Sequence, residues 1–517
     1  MLRFEIGMED TSWPQHTYRL HFVQEGRGKR LVNGRKRVSI WLLSLLAMVS
    51  VFSCHAAPWI EPGKASIRMD ISRLRIFNGL SMPETTWPLS WPGLLDNLEK
   101  RDIQRDIQNT DHTVDSSARL QRLGRFETRT GTNSYFSARV ATHASPFATF
   151  DMPSLAQYGA SLFHEGVGQR TTWRIRLNVE DETMDDETFR QDGSWVAFVQ
   201  GNWIVGYGTP SRWWGPGWSS SLILGHQARP VSTLWLSRNM PLPFETPVLS
   251  WLGPWHFETF AGQMDDPDRT VPDPWLWGMR WVVQPSESLE LGVNRVLMLG
   301  GKGVDLGLDD VANAFVNDAG QTDYNQLAGW DIKWRTTWRE NGMALYGQWV
   351  GERDSGWGKW MRLTGVEWYP AERMFNGWMP LVWMEYSDTL CASTRNQIYP
   401  GVAYNHPVYS EGYRYRGRGL GSAFESDASV YSLGIMWHAR RGRFWNTRIF
   451  SAELNRYNDP LNTLVTQAAR VNGVSVAYEW PLMRGRAAIE LSAQSDQVEK
   501  SASLSRKRTV AFRWSTR

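Results

Sequence analysis

Trp330-Asp331-Ile332-Lys333-Trp334-Arg335 alternates apolar and charged residues over six positions. A period of two is that of a β-strand, whose successive side chains point to opposite faces of the sheet. One face of this strand is greasy and rich in Trp; the other carries Asp, Lys and Arg. The pattern continues to Trp338 and Arg339 and returns along the chain. Trp173, Ile175, Leu177 and Val179 alternate with Arg174, Arg176, Asn178 and Glu180. Val474, Val476, Tyr478 and Trp480 alternate with Gly473, Ser475, Ala477 and Glu479, and Val510, Phe512 and Trp514 with Thr509, Ala511 and Arg513. Looser versions lie at 195–200, 288–296, 430–439 and 489–494, and the Gly, Asp, Asn and Pro clusters between them read as turns.

Alternation alone fits a soluble sandwich as well as a membrane barrel, because both have sheets with two unlike faces. Two observations favour the barrel. The strands recur from about Arg125 to the end without helical interruption or a repeat of constant period. Aromatics also gather near the strand ends, where a membrane girdle places them. A closed ring leaves no backbone edge unpaired in lipid. At about 20–22 residues for a strand and its turn, 124–517 accommodates roughly 18 antiparallel strands. The fold class expected is an all-β transmembrane barrel with a small N-terminal helical bundle.

Composition narrows the function classes. Apolar residues make up 42% and charged residues 21% of the 517, which suits neither a disordered chain nor a helical membrane protein. A net charge of +3 gives no basic footprint for nucleic acid. The outlier is 30 Trp, a residue suited to membrane interfaces and to stacking on sugar rings.

Residues 1–57 read as a targeting segment. Arg27, Lys29, Arg30, Arg35, Lys36 and Arg37 form a basic n-region, and Val38 to Phe52 an apolar core of signal-peptide length. Cleavage is expected near Ala57, and because residues 1 to about 26 are unusually polar for a signal peptide, translation is expected to start further in than Met1. An N-terminal anchor helix and lipoprotein processing at Cys54 are the alternatives. Loss of Cys54 would leave Cys391 as a single thiol with no internal disulfide. Residues 58–123 form the helical part, expected at the periplasmic end. Ile67, Ile71, Leu74 and Ile76 mark one helix stopped by Asn78-Gly79. Leu94, Leu95 and Leu98 lead a second that runs toward Ile103 and Ile107, and a third spans 116–123. Some sixty residues are too few to fold alone, so the barrel is expected to support them.

A series of segments resembles the Wzi capsule-assembly family. Arg212-Trp213-Trp214-Gly215-Pro216-Gly217-Trp218 leads, followed by Ser221-Leu222-Ile223-Leu224 and Ala228-Arg229-Pro230. Gly253-Pro254-Trp255-His256, Gln263-Met264, Leu289 through Gly301, and Asn325-Gln326-Leu327-Ala328-Gly329 continue it. Tyr346-Gly347-Gln348, Gly351-Glu352 and Tyr404 through Tyr413 complete it, and Thr86-Trp87-Pro88-Leu89-Ser90 is similar to the family's helical part. The resemblance runs from about Met69 to the C-terminus and keeps motif order. It implies an 18-stranded barrel in the outer membrane of a Gram-negative bacterium. It also implies a lectin-like, non-catalytic protein that binds and organises capsular or exopolysaccharide at the cell surface. Partners would be that polysaccharide, outer-membrane lipid and other capsule export components. A porin or oligosaccharide channel is the alternative, with Arg174, Arg176, Lys333, Arg335 and Arg339 lining the lumen and selecting anions.

No catalytic constellation, cofactor motif or metal-ligand spacing stands out. The glycines at 300–303 and 417–419 read as hairpin turns. Asp265, Asp266, Asp268 and Asp273 read as a solvated loop, with Ca²⁺ or sugar hydroxyls as the sharper alternative. The acidic run from Asp181 to Glu187 reads as a hairpin loop. Candidate polysaccharide contacts fall in two groups. Arg212, Trp213, Trp214, Trp218 and Arg229 offer aromatic faces and donors, the competing reading being a packed inward hairpin. Tyr409, Tyr413, Arg414, Tyr415, Arg416 and Arg418 combine rings with guanidinium groups that hold carboxylates through paired hydrogen bonds.

Overall fold

The structure, a computed structural model, describes residues 59–516 apart from 105–110, 152–154, 182–186, 268, 305–323, 353–357, 373–376, 394, 396 and 499–504. The targeting segment, Cys54 and the continuation of the second helix to Ile107 therefore lie outside the described residues.

Three helices precede the sheet: α1 (Ala65–Asn78), α2 (Trp91–Gln104) and α3 (Asp111–Glu127). Ile67, Ile71 and Leu74 bury one face of α1, and Gly79, at φ +58°, ends it by donating its N–H to Leu74 O. From Gly131 onward the chain is a closed antiparallel barrel in which each strand pairs with the next. Two-residue strands at Phe189–Arg190 and Ile398–Tyr399 sit beside neighbours that also bond each other directly, so the continuous ring has 18 strands. Ser505–Ser515 closes onto Gly131–Ala141 through only five residue pairs, Ala511 with Ala141 to Ser515 with Ser137.

Side-chain exposure separates barrel from sandwich. Trp330 and Trp334 are each 43% exposed, whereas Asp331, Lys333 and Arg335 between them are 2%, 1% and 3% exposed. Leu162, Val179, Leu234, Met384, Tyr431, Leu491 and Val510 are likewise exposed around the ring. An apolar exterior with a charged interior reverses the partition of a protein in water and suits hydrocarbon. Arg339 departs from the expected lumen set. With Glu340 it forms a two-residue hairpin turn at φ +48° and +68°, so its side chain is exposed at the rim.

One end of the barrel carries short turns such as this, and the other carries long connections, including 209–232 and 393–428. Helix α1 sits at the short-turn end. Arg73 donates to Pro370 O and Pro380 O, at 3.2 and 2.7 Å. From the long-loop end, 209–232 folds into the lumen until Trp213 and Trp214 pair with Trp87 and Thr86 as a two-stranded ladder. Arg68 of α1 reaches Gly217 O at 2.7 Å and lies 3.9 Å over the Trp218 ring. The helical segment and the inward hairpin thus meet inside the ring as a plug.

Candidate functional site

The plug is held by buried charges on the strands between Trp255 and Ala392. Glu290 accepts from Arg75 at 2.6 Å, Arg335 at 3.0 Å, the Thr85 N–H at 2.9 Å and the Glu84 N–H at 3.0 Å. Arg335 and Lys333 also pair with Glu84 at 2.7 and 2.8 Å. Burial pushes the Glu84 carboxyl up, but Arg335, Lys333 and Arg75 outweigh it and hold the group well below the usual carboxylate range. Arg280 grips Asp331 through two bonds and donates to Thr86 Oγ1 at 2.7 Å. Lys333 and Arg335 are thereby spoken for by the plug and are not free to select anions. Arg174 pairs with Glu165 and Glu61.

The aromatic hairpin is packed, as the second of its two readings expected. Trp214 has no exposure and lies against Phe260; Trp213 abuts Phe150 and His226. Trp218 donates its indole N–H to Glu367 at 2.7 Å and its backbone N–H to Glu385 at 2.7 Å, and it stacks on Trp383. No face of these rings is left for a sugar. Four residues of the second group are also structural. Tyr409 and Tyr413 donate their hydroxyls to Gly300 O and Ile223 O, and Tyr415 is buried with its hydroxyl toward Asp265 O. Arg414 spends its fork on Glu425 at 2.9 and 2.8 Å. Arg414–Tyr415 and Arg418–Gly419 form a small hairpin, which fits the turn expected at 417–419.

What remains near the surface is a guanidinium cluster. Arg229 holds Asp192 at 2.7 Å and Glu187 at 2.8 Å, and Arg416 holds the same Glu187 at 3.0 Å. Burial raises the Glu187 carboxyl slightly, but bonds and charge from Arg229 and Arg416 hold it below its ordinary range. The expected solvated aspartate loop is partly drawn in, since Asp266 is buried and accepts the Arg416 N–H at 2.8 Å. Asp268 lies outside the described residues. Arg212 sits deeper, paired with Glu258 at 2.6 Å over the Phe260 ring. Arg212, Arg229, Arg416 and Arg418 all line one cavity of about 590 Å³ inside the barrel. Sequence reasoning missed the rest of that cavity, because its wall is assembled from strands and loops far apart in the chain.

The family profile of the capsule assembly protein Wzi matches residues 105–507. The chain belongs to the Wzi capsule assembly family. The Escherichia coli Wzi structure, described as an outer membrane carbohydrate-binding β-barrel involved in group 1 capsule assembly, superposes with a TM-score of 0.76 at 24% identity. The match covers 88% of this chain and 98% of that one, and at this identity it establishes the shared fold. A Klebsiella pneumoniae protein, an uncharacterized 55.8 kDa protein in the cps region, is 27% identical over 320 residues. That match covers 59% of this chain and 61% of the relative, under two thirds of its length. The Wzi fold expected from the motif series is thus present, with its lumen plugged from both ends.

Proposed function

We propose that this Wzi-family barrel is an outer-membrane protein that binds and organises capsular or exopolysaccharide at the cell surface, without catalysing a reaction on it. The observation that carries the reading is a Wzi-family barrel whose lumen is occupied by its own chain. A filled lumen suits a binding scaffold and ill suits a porin. The usual arrangement of such barrels, with short turns facing the periplasm and long loops facing outward, supports the periplasmic reading of the helical part, since α1 sits at the short-turn end. The guanidinium cluster of Arg229, Arg416 and Arg418 then faces the polysaccharide, with Arg212 below it. Trp213, Trp214, Trp218, Tyr409, Tyr413, Arg414 and Tyr415 serve by shaping the loops that present it. Outer-membrane lipid surrounds the apolar belt, and capsule export components are the further partners.

Deleting the gene should shift polysaccharide from the cell-attached to the free fraction. Unchanged attachment would sink the proposal. Reconstituted protein should retain purified capsule and give little stepwise conductance in planar bilayers; free conduction with no retention would favour the channel.

A further inference from the structure

The cavity beside the plug has a reason in the sequence. Much of its wall comes from the strands between Gly131 and Glu180 and between Ala469 and Ser515, where inward positions include Gly159, Ser161, Ser475, Ala477, Ala488 and Ala511. Short side chains leave a space of about 590 Å³ unfilled, within the roughly 300–1,000 Å³ range of ligand sites. The lining reaches Asp181, Arg190 and Arg416 at the long-loop end. It holds ten cationic against seven anionic side chains, so the space attracts anions.

Two guanidinium groups sharpen the chemistry. Arg448, 7% exposed, stands across from Ser475 and two residues from Asn446, both of which line the cavity. Its Nε and Nη1 meet no acceptor among the described residues. Arg176, in the lining, donates to Asn178 Oδ1 at 2.9 Å and has no ion-pair partner among the described residues. Buried cations are normally matched by a carboxylate. The same space also offers unused acceptors. Asn446 Oδ1 and His226 Nε2 are buried without a partner, and His226 Nδ1 faces Thr149 O at 3.3 Å. An inorganic anion uses donors alone, whereas a sugar ring presents hydroxyls that need both donors and acceptors.

We propose that this cavity binds an acidic saccharide segment, its carboxylate on Arg448 and Arg176 and its hydroxyls on Asn446 and His226. The assignment rests on the polysaccharide-binding reading and names the ligand class and an inner subsite for it.

Calorimetric titration of the full chain in detergent tests it, with trigalacturonate as probe and maltotriose and sulfate as comparisons. Wild type should bind trigalacturonate saturably and well ahead of both. Arg448→Met should weaken binding by about tenfold or more, the scale of losing a paired charged hydrogen bond. Ala477→Trp, which fills the cavity and leaves every guanidinium in place, should abolish it. Equal affinity in wild type and both variants overturns the assignment, as does sulfate binding as tightly as trigalacturonate. In those cases retention of purified capsule by wild type leaves the polysaccharide reading standing. If wild type retains no capsule either, the parent reading fails as well.

Discussion

Two halves of one lumen obey the same alternation and end in opposite states. Between Trp255 and Ala392 the buried Arg280, Glu290, Asp331, Lys333, Arg335 and Glu367 each pair with an opposite charge on the plug or a neighbouring strand. Between Ala469 and Ala141, across the closure, short inward residues such as Ser475, Ala477, Ala488 and Ala511 stand among the charged ones, and Arg448 on the adjoining strand makes no ion pair among the described residues. Alternation decides which face a residue joins. Side-chain length and pairing decide whether that face becomes scaffold or empty space.

The largest expected effect breaks the filled half. Glu290→Ala strands Arg75 and Arg335 with a lost shared acceptor, and thermal unfolding in detergent should report a loss of about 3–5 kcal/mol. A loss under about 1 kcal/mol would mean the plug is held by packing alone. Trp218→Ala opens a cavity and removes the indole donor to Glu367, so about 3 kcal/mol should go. Polysaccharide retention per folded molecule should stay unchanged, because the ring is sealed. A retention loss without unfolding would return Trp218 to the binding site.

A smaller effect concerns the join between helices. Asp70 accepts from Ser116 and Arg119 at 2.8 and 3.0 Å. Burial pushes its carboxyl up, but Arg119 and His438 outweigh it and depress the group below the ordinary range. A depressed folded-state value stabilises above the unfolded value of about 4 and loses that contribution as pH falls toward the folded one. Asp70→Asn should therefore cost about 2 kcal/mol at neutral pH, and the gap from wild type should shrink on acidification below about pH 4. A gap independent of pH would assign the cost to packing. The finest test compares the halves directly. Ala344→Leu, at a position without exposure on the filled side, should destabilise by about 1–3 kcal/mol. Ala477→Leu, facing the cavity, should stay within about 0.5 kcal/mol. Equal costs would erase the distinction.

The barrel was legible because the Trp330–Arg335 alternation is local, and local period reports the strand. Helix α1 was legible for the same reason, down to its stop at Gly79. The fate of Trp213, Trp214 and Trp218 was not, since their covers, Trp87, Phe150, Phe260 and Trp383, come from four distant segments. Arg414 looked like a free donor because Glu425 closes on it only when the loop folds. Arg339 kept the strand's period but fell in its turn. Arg448 carried no local signal at all, as a lone inward Arg is common in any strand. The run of small inward residues at Ala477, Ala488 and Ala511 was the one available hint of a cavity.

The five-pair closure between Ser505–Ser515 and Gly131–Ala141 sets an order of events. Those strands share eleven and ten pairs with their other neighbours, so the closing joint is the thinnest on either side of it. The plug bonds to strands far from that joint, chiefly 275–392. A half-built sheet can therefore wrap its own N-terminal segment first and zip shut last, next to the cavity. Amide exchange should accordingly run faster at 138–141 than at 291–298, which makes this part of the cavity wall softer than the filled side.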